Sequence, residues 1–247
     1  MQMIPKLVHY VWVGGADKPR DIQQCIDSWK RKLPDFKFME WNENNFPIRR
    51  FPFAKRAFEE KQWAFVSDLI RIAVMYQYGG VYLDCDVKII KDLSPFLKEG
   101  VFIGFEDNSH PSTAVFGAEP KHPLFKDIMD FYSSIKLNRQ VDFKKFVNTT
   151  IFSELLVKDF NCQPNGKEQV LETGIHIYPS GFFCYPSFQS ITVHVFLGSW
   201  IKGKGTTFSR FKEWWRLSLS TQFQCGIYST FMIIVYRLIL HRDDHRR

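Results

Sequence analysis

The sequence predicts an α/β domain with a mostly parallel central sheet flanked by helices, followed by a helical C-terminal segment. The first observation is order. Residues 6–14 (KLVHYVWVG) form an apolar run closed by glycine, Ile22, Cys25, Ile26 and Trp29 follow Pro19 at helical spacing, and residues 36–41 read as a second strand. Strands joined through a helix run parallel and offer ligands their C-terminal ends. The second is Gly79-Gly80-Val81-Tyr82-Leu83-Asp84-Cys85-Asp86-Val87, where a glycine pair separates a helical pattern from a short apolar strand tipped with two carboxylates. The third is size: 247 residues, 45% hydrophobic and 24% charged, suit one such domain with an appendage.

The remaining elements follow in order. Residues 63–77 predict a long helix with Phe65, Leu69, Ile72, Ala73 and Tyr76 on one stripe, ended by Gly79-Gly80. Residues 81–83, 101–105 and 113–117 predict strands, and residues 123–135 and 143–157 predict helices. Residues 175–178 and 191–196 are expected to close the sheet. Composition shifts after Trp200, so residues 1–200 read as one domain and 201–247 as a basic, aromatic appendage. The run 223–240 is apolar but interrupted by Gln224 and Arg237, and is short for a membrane span. A helix lying in the membrane interface fits it better, with a terminal helix packed on the domain as the bland alternative.

The formal charge is +7, which suggests a polyanionic partner: phosphate-bearing substrates, an anionic membrane or nucleic acid. No recognition motif supports nucleic acid, and none is expected. Five scattered cysteines (Cys25, Cys85, Cys162, Cys184, Cys225) show no CxxC spacing, so no zinc site is predicted and a reducing compartment fits. The first ten residues lack a charged n-region and a long apolar stretch, so no secretory signal is expected.

The chemistry concentrates on Asp84 and Asp86. Residues i and i+2 of a strand face one way, so the pair can converge on one hard cation, Mn²⁺ or Mg²⁺, placed to neutralise a departing diphosphate. Upstream, Asp68 and Arg71 share a helix face at i, i+3. They read either as a surface ion pair of little worth or as a grip on sugar hydroxyls and phosphate oxygens. Val11 and Trp12 end the first strand before Gly14-Gly15, where an indole is either core or a platform for a base. His194, beside a predicted strand end, is a further candidate ligand.

In this order the segments IPKLVHYVWVGG, CIDSWK, AFVSDLIR, YGGVYLDCDV and GSW resemble the DXD-containing sugar-binding glycosyltransferases of family 32, over roughly residues 4–200. That family includes bacterial capsule and O-antigen transferases and yeast mannosyltransferases. The resemblance implies a GT-A fold, a nucleotide-sugar donor with UDP-hexose favoured over GDP-mannose, a Mn²⁺ or Mg²⁺ ion, and retention of anomeric configuration. By position it implies that Val11 and Trp12 hold the base, Asp68 and Arg71 the donor sugar, Asp84 ribose and sugar, Asp86 the metal, and Ser199 and Trp200 the diphosphate. His194 matches the first of two adjacent histidines common in bacterial members, and Val195 stands at the second. No carboxylate is plainly placed as nucleophile. The expected route is a same-face displacement in which the leaving phosphate takes the acceptor proton. Glu106 and Asp107 are candidates to line the acceptor side with Asn108.

The acceptor expected is a lipid-diphosphate-linked glycan, with the enzyme peripheral on the inner face of a bacterial membrane. Three other readings compete. A haloacid-dehalogenase-like phosphatase would use Asp84 as nucleophile, but its late acidic pair would have to be Asp243-Asp244 in a basic tail. A P-loop across Gly198 to Gly205 has Gly205 where Ser or Thr must bind Mg²⁺. A non-catalytic sugar- or membrane-binding protein has no need of the intact acid pair.

Overall fold

The computed structural model describes residues 3–137, 141–198 and 206–244, with the side chains of the last helix described to Arg237. In chain order the elements are β1 (Leu7–Val11), α1 (Arg20–Lys32), β2 (Lys37–Trp41), α2 (Pro52–Glu59), α3 (Trp63–Tyr78), β3 (Gly80–Leu83), β4 (Val87–Ile89), β5 (Val101–Phe105), β6 (Pro111–Ala118), α4 (Pro123–Ser134), α5 (Asn148–Phe160), β7 (Gln169–Val170), β8 (Ile175–Tyr178), α6 (Ser180–Phe183), β9 (Thr192–His194), α7 (Thr207–Ser218) and α8 (Gln222–Asp244).

Seven strands form the main sheet in the order β2-β1-β3-β6-β5-β8-β7. β1 runs parallel to β2 and β3, and β5 parallel to β8, while β6 and β7 are reversed. Five of the seven strands therefore point one way. Alternate side chains enter two separate cores. Tyr82, Val11 and Ile103 face the helices α2 to α5, and Val81, Leu83, Val8 and Phe102 face α1 and residues 93–97.

Local chemistry explains most elements. α1 buries Ile22, Cys25, Ile26 and Trp29, and has Asp21 in its first turn and Lys30, Arg31 and Lys32 in its last, each sign matched to the helix dipole. α3 is not the one-striped helix its apolar spacing predicts. Every residue from Val66 to Met75 is buried, because the helix is enclosed by α2, α4 and the sheet, while Phe65 and Tyr76 are only half-buried. It stops at Gly79, whose φ of 61° suits only glycine, and a Cβ there would meet the Pro120 nitrogen at 2.6 Å.

Two sequence expectations are corrected. The helix expected over 143–157 is a 3₁₀ turn (Phe143–Phe146) and then α5, because Val147 between them is extended (φ −64°, ψ 126°). The strand expected over 191–196 shortens to β9 and does not close the main sheet. It pairs antiparallel with β4, with Val87 opposite His194. β4 itself follows a turn that peels the chain off the sheet, and α1 anchors it: the Trp29 indole donates to the Val87 carbonyl at 2.7 Å, and the Ile89 N–H to Ser28 Oγ at 3.0 Å.

α7 and α8 form an antiparallel pair, with Trp215 against Tyr228 and Phe231. Leu219, Cys225, Tyr228 and Met232 bury against Ile90 and Val193 of the β4–β9 region, making a third small core. Among the described residues no helix is long and apolar enough to cross a membrane.

His9 locks the centre of the sheet. Its Nε2 lies 2.9 Å from the Gly79 carbonyl, and Nδ1 accepts from the Trp41 indole at 3.0 Å, which fixes a neutral tautomer. Burial lowers its pKa to about 4, against a partial rise from Gly79. A folded-state value below the unfolded one means this stability is full above pH 6.5 and is lost as pH falls toward 4. Urea unfolding at pH 7 and 4.5 is expected to show a loss of roughly 2–3 kcal/mol from this group. His9→Gln is expected to flatten that part of the profile.

Candidate active site

β3 ends at Leu83 and the chain turns at once, with the Val87 N–H donating to the Asp84 carbonyl at 3.0 Å. Asp84, Cys85 and Asp86 occupy this turn. The turn, rather than the strand pleat, brings the two carboxylates together. Between them, the Cys85 thiol donates to the Val11 carbonyl at 3.3 Å, tying the turn to the end of β1.

Each carboxylate is held by its own partners. Asp84 Oδ1 accepts from the Tyr82 hydroxyl at 2.8 Å and lies 3.2 Å from Arg71 Nη1. Burial raises its pKa, Arg71 opposes the rise, and the neighbouring Asp86 charge adds to it. Asp86 Oδ1 lies 3.2 Å from His194 Nε2, and Oδ2 accepts from the Leu197 N–H at 3.0 Å. Burial works against the Asp86 charge, yet His194 and these hydrogen bonds outweigh it and hold the group below its ordinary range. Burial alone would strip the His194 proton, but Asp86 keeps its pKa well above the usual value.

Ligand atoms of Asp84, Asp86 and His194 lie within 4.8 Å of one another. Two carboxylates and an imidazole are a donor set for a hard or borderline divalent ion such as Mn²⁺ or Mg²⁺. The Asp86 carboxylate beside the imidazole draws positive charge to this place. These residues fit a divalent cation, with His194 beside the acid pair.

Asp68 and Arg71 are not a surface pair. Both are buried, and Arg71 Nη2 lies 3.1 Å from Asp68 Oδ1. Arg71 Nη1 also donates to the Thr113 carbonyl at 2.7 Å, and the guanidinium lies over the Tyr82 ring at 4.7 Å. Arg71 thus bridges Asp68 and Asp84. Burial raises the Asp68 pKa despite it.

Trp12 is half-buried at the end of β1, its indole donating to the Ala16 carbonyl at 2.6 Å with Lys18 near the ring. Beside its loop a cleft of about 940 Å³ opens between the segment after β2, the later part of α2 and the start of α3, lined by Glu43, Asn45, Arg49, Lys55 and Trp63. Glu43 accepts from the Gly14 N–H at 3.1 Å, so loop and cleft are continuous. Val11 is buried in the core. Ser199 and Trp200 lie outside the described residues.

Glu106 and Asp107 separate in role. The Glu106 pKa is raised by burial, with His194 opposing and Asp107 and Asp84 adding, which places the carboxylate in the field of the acid pair. Asp107 is exposed and accepts from the Ser109 and His110 N–H groups at 2.7 Å, so it holds its own loop.

Four site residues had no signal of their own. Tyr82 is one, hidden as an apolar strand residue. Phe196 has φ of 62°, unusual for a non-glycine, and its ring stacks on His194 at 3.9 Å between centroids. Tyr185 stacks on Phe196 at 5.6 Å. Arg216 of α7 lies over the Phe196 ring at 5.1 Å and donates to the Val195 carbonyl at 3.3 Å. Only the fold brings Arg216, remote in sequence, to this place.

The family described as glycosyltransferase sugar-binding region containing DXD motif matches residues 19–103, which include α3 and the acid pair. Over that stretch the chain resembles this family. Mannosyl phosphorylinositol ceramide synthase CSH1 of Saccharomyces cerevisiae is 25% identical over 190 residues, covering 69% of this chain and 48% of that enzyme. Inositol phosphoceramide mannosyltransferase 2 of Schizosaccharomyces pombe is 30% identical over 135 residues, covering 51% and 38%. The chain therefore spans at most about half the length of these two relatives. The solved PaToxG glycosyltransferase superposes with a TM-score of 0.53 at 15% identity, over 64% of this chain and 70% of that one, which shows a shared fold. The fold is the GT-A type that the resemblance implied. These two relatives are fungal, and the bacterial capsule or O-antigen setting rests on the sequence resemblance alone.

Two outcomes test the site. Arg216→Ala is expected to weaken Mn²⁺ binding roughly tenfold or more, read by metal titration of thermal unfolding without donor, while Lys212→Ala on the same helix leaves it unchanged. Glu106→Gln is expected to cut glycosyl transfer by roughly 10²-fold at an unchanged donor affinity, and Asp107→Asn by far less.

Proposed function

We propose that this chain is a metal-dependent, retaining hexosyltransferase that moves a sugar from a nucleotide-sugar donor to a lipid-linked glycan or related glycolipid. The observation that carries this reading is the convergence of Asp84, Asp86 and His194 at the C-terminal end of a central strand, beside the buried Arg71. In an α/β sheet that is where a ligand is received.

Asp86 and Asp84, with His194 beside them, would hold a divalent cation, whose chemistry would be to offset negative charge on the diphosphate. The chain's own residues do the rest. Arg71 and Tyr82 fix the Asp84 carboxylate, and the Leu197 N–H and His194 fix that of Asp86. Both carboxylates are committed to these partners, which supports a same-face displacement over a covalent intermediate on either. The acceptor hydroxyl then attacks on the face the diphosphate leaves, and its proton passes to the leaving phosphate oxygen. The cleft beside Trp12 takes the nucleoside, Asp68 and Arg71 border the donor sugar, and Glu106 borders the acceptor. Ser199 and Trp200 are assigned to the diphosphate by resemblance.

The donor is a UDP-hexose or GDP-mannose. The names of the two yeast relatives carry mannose, which raises GDP-mannose to equal standing. Their names also carry a phosphorylated ceramide, which supports a lipid acceptor bearing phosphate. The setting proposed is the cytoplasmic face of a membrane. Five buried cysteines without disulfides fit a reducing compartment, and the basic tail fits an anionic surface.

A thermal-unfolding panel of UDP- and GDP-sugars with Mn²⁺, with and without EDTA, tests the donor site. A true donor at a hundred times its Kd is expected to stabilise by about 2.7 kcal/mol, or roughly 5–10 °C. EDTA and Asp86→Asn are each expected to remove the shift. A folded protein that shifts with no donor would overturn the proposal.

A further inference from the structure

α8 is apolar on two faces. Cys225, Tyr228 and Met232 at i, i+3 and i+7 are buried against the β4–β9 region. Phe223, Ile227, Phe231 and Ile234 at i, i+4, i+8 and i+11 form a second stripe, and all are exposed, Phe223 at 67% and Ile234 at 53%. α7 continues this surface with Phe208, Phe211 and Trp214, the last 65% exposed. A helix apolar on two faces belongs between two apolar partners, and among the described residues only one of these faces is covered. Large exposed apolar patches rimmed by polar groups mark interaction sites.

The charge distribution selects the second partner. Residues 202–247 hold nine Lys and Arg against three Asp and Glu, so six of the seven net positive charges of the chain lie there. Residues 1–201 are nearly neutral. Arg210 stands one turn from Trp214 on α7, and Arg237 one turn from Ile234 on α8, both exposed. Apolar and aromatic side chains bordered by cations match an anionic lipid interface, whose acyl region takes the rings and whose headgroups take the charges.

We infer that the exposed face of α7 and α8 docks on an anionic lipid bilayer, and that this docking holds the acid pair beside the membrane. The second part rests on the transferase reading. α7 reaches the site directly: Arg216 grips Phe196, and Phe196 stacks on His194. An acceptor anchored in the bilayer by its apolar end would present its head at that side of the turn.

Sedimentation of the full chain with vesicles tests the docking. Binding is expected to vesicles of phosphatidylcholine with phosphatidylglycerol, to be weak on phosphatidylcholine alone, and to fall with added salt. Arg210→Gln and Lys212→Gln are each expected to weaken binding about fivefold on the mixed vesicles. The double variant Ile227→Ser, Ile234→Ser is expected to weaken it about tenfold or more, with an unchanged unfolding midpoint because both side chains are exposed. If that double variant fails to fold, lipid selectivity and the two basic variants decide the matter. Equal binding to both vesicle types, or none to either, overturns the inference. So does a dimer by light scattering that the double variant dissolves, since the face would then cover a second copy. Asp86→Asn is expected to keep full vesicle binding while losing the donor shift, which separates failure of this inference from failure of the transferase reading.

Discussion

Two carboxylates must sit side by side in one half-buried turn, and much of the molecule is arranged to permit it. Asp84 and Asp86 raise one another's cost, and desolvation raises it further. Asp84 is compensated by Arg71 and Tyr82, and Asp86 by His194 and a backbone N–H. These partners have needs of their own. Arg71 is itself buried, and it takes Asp68 from its own helix and the Thr113 carbonyl from β6. Stripping one member from such a buried cluster leaves an uncompensated charge worth about 3–5 kcal/mol. The all-round burial of α3 follows from the same demand, because a surface helix could not shield Asp68 and Arg71 from water.

The second compensation explains the small sheet. To bring His194 against Asp86, the chain leaves the main sheet at the turn, forms β4, and pairs it with β9. The His194 ring then needs a fixed orientation, which Phe196 provides from a left-handed backbone position costing about 1–3 kcal/mol. Such strain persists only where surroundings hold it. Contacts from Tyr185 and Arg216 do so. The C-terminal helices are therefore bound into the geometry of the site as well as into a core of their own.

The legible parts of this fold were those carried by local pattern. β1, α1, β2, β5 and β8 follow from apolar period and from Pro19 and Gly14, and the pairing of Asp84 with Asp86 from adjacency. What failed to read was non-local. The stripe assigned to α3 took Phe65 and Tyr76 as core and left out Val66, Ile70 and Val74, since a helix enclosed on every side has no single stripe. The break at Val147 depends on one extended residue that no glycine or proline announces. β4 is three residues long and has no period to detect. Arg216 looks like any tail arginine until α7 folds back over Phe196.

Position of charge separates two anion problems that composition alone merges. A basic chain might hold a diphosphate in a broad positive field, but here residues 1–201 carry 24 Lys and Arg against 23 Asp and Glu. The net charge of that part supplies no general attraction for an anion. The buried Arg71 is already engaged by two aspartates, so it has little charge left to offer. In the proposed reaction, neutralising a leaving diphosphate would then fall to something local at the acid pair, a task that a divalent cation would fit. The surplus cations of the tail lie elsewhere, along helices that expose rings, and answer to a different anion. Under the two proposals, one chain would meet a phosphate with a point charge and a broad anionic surface with a diffuse one.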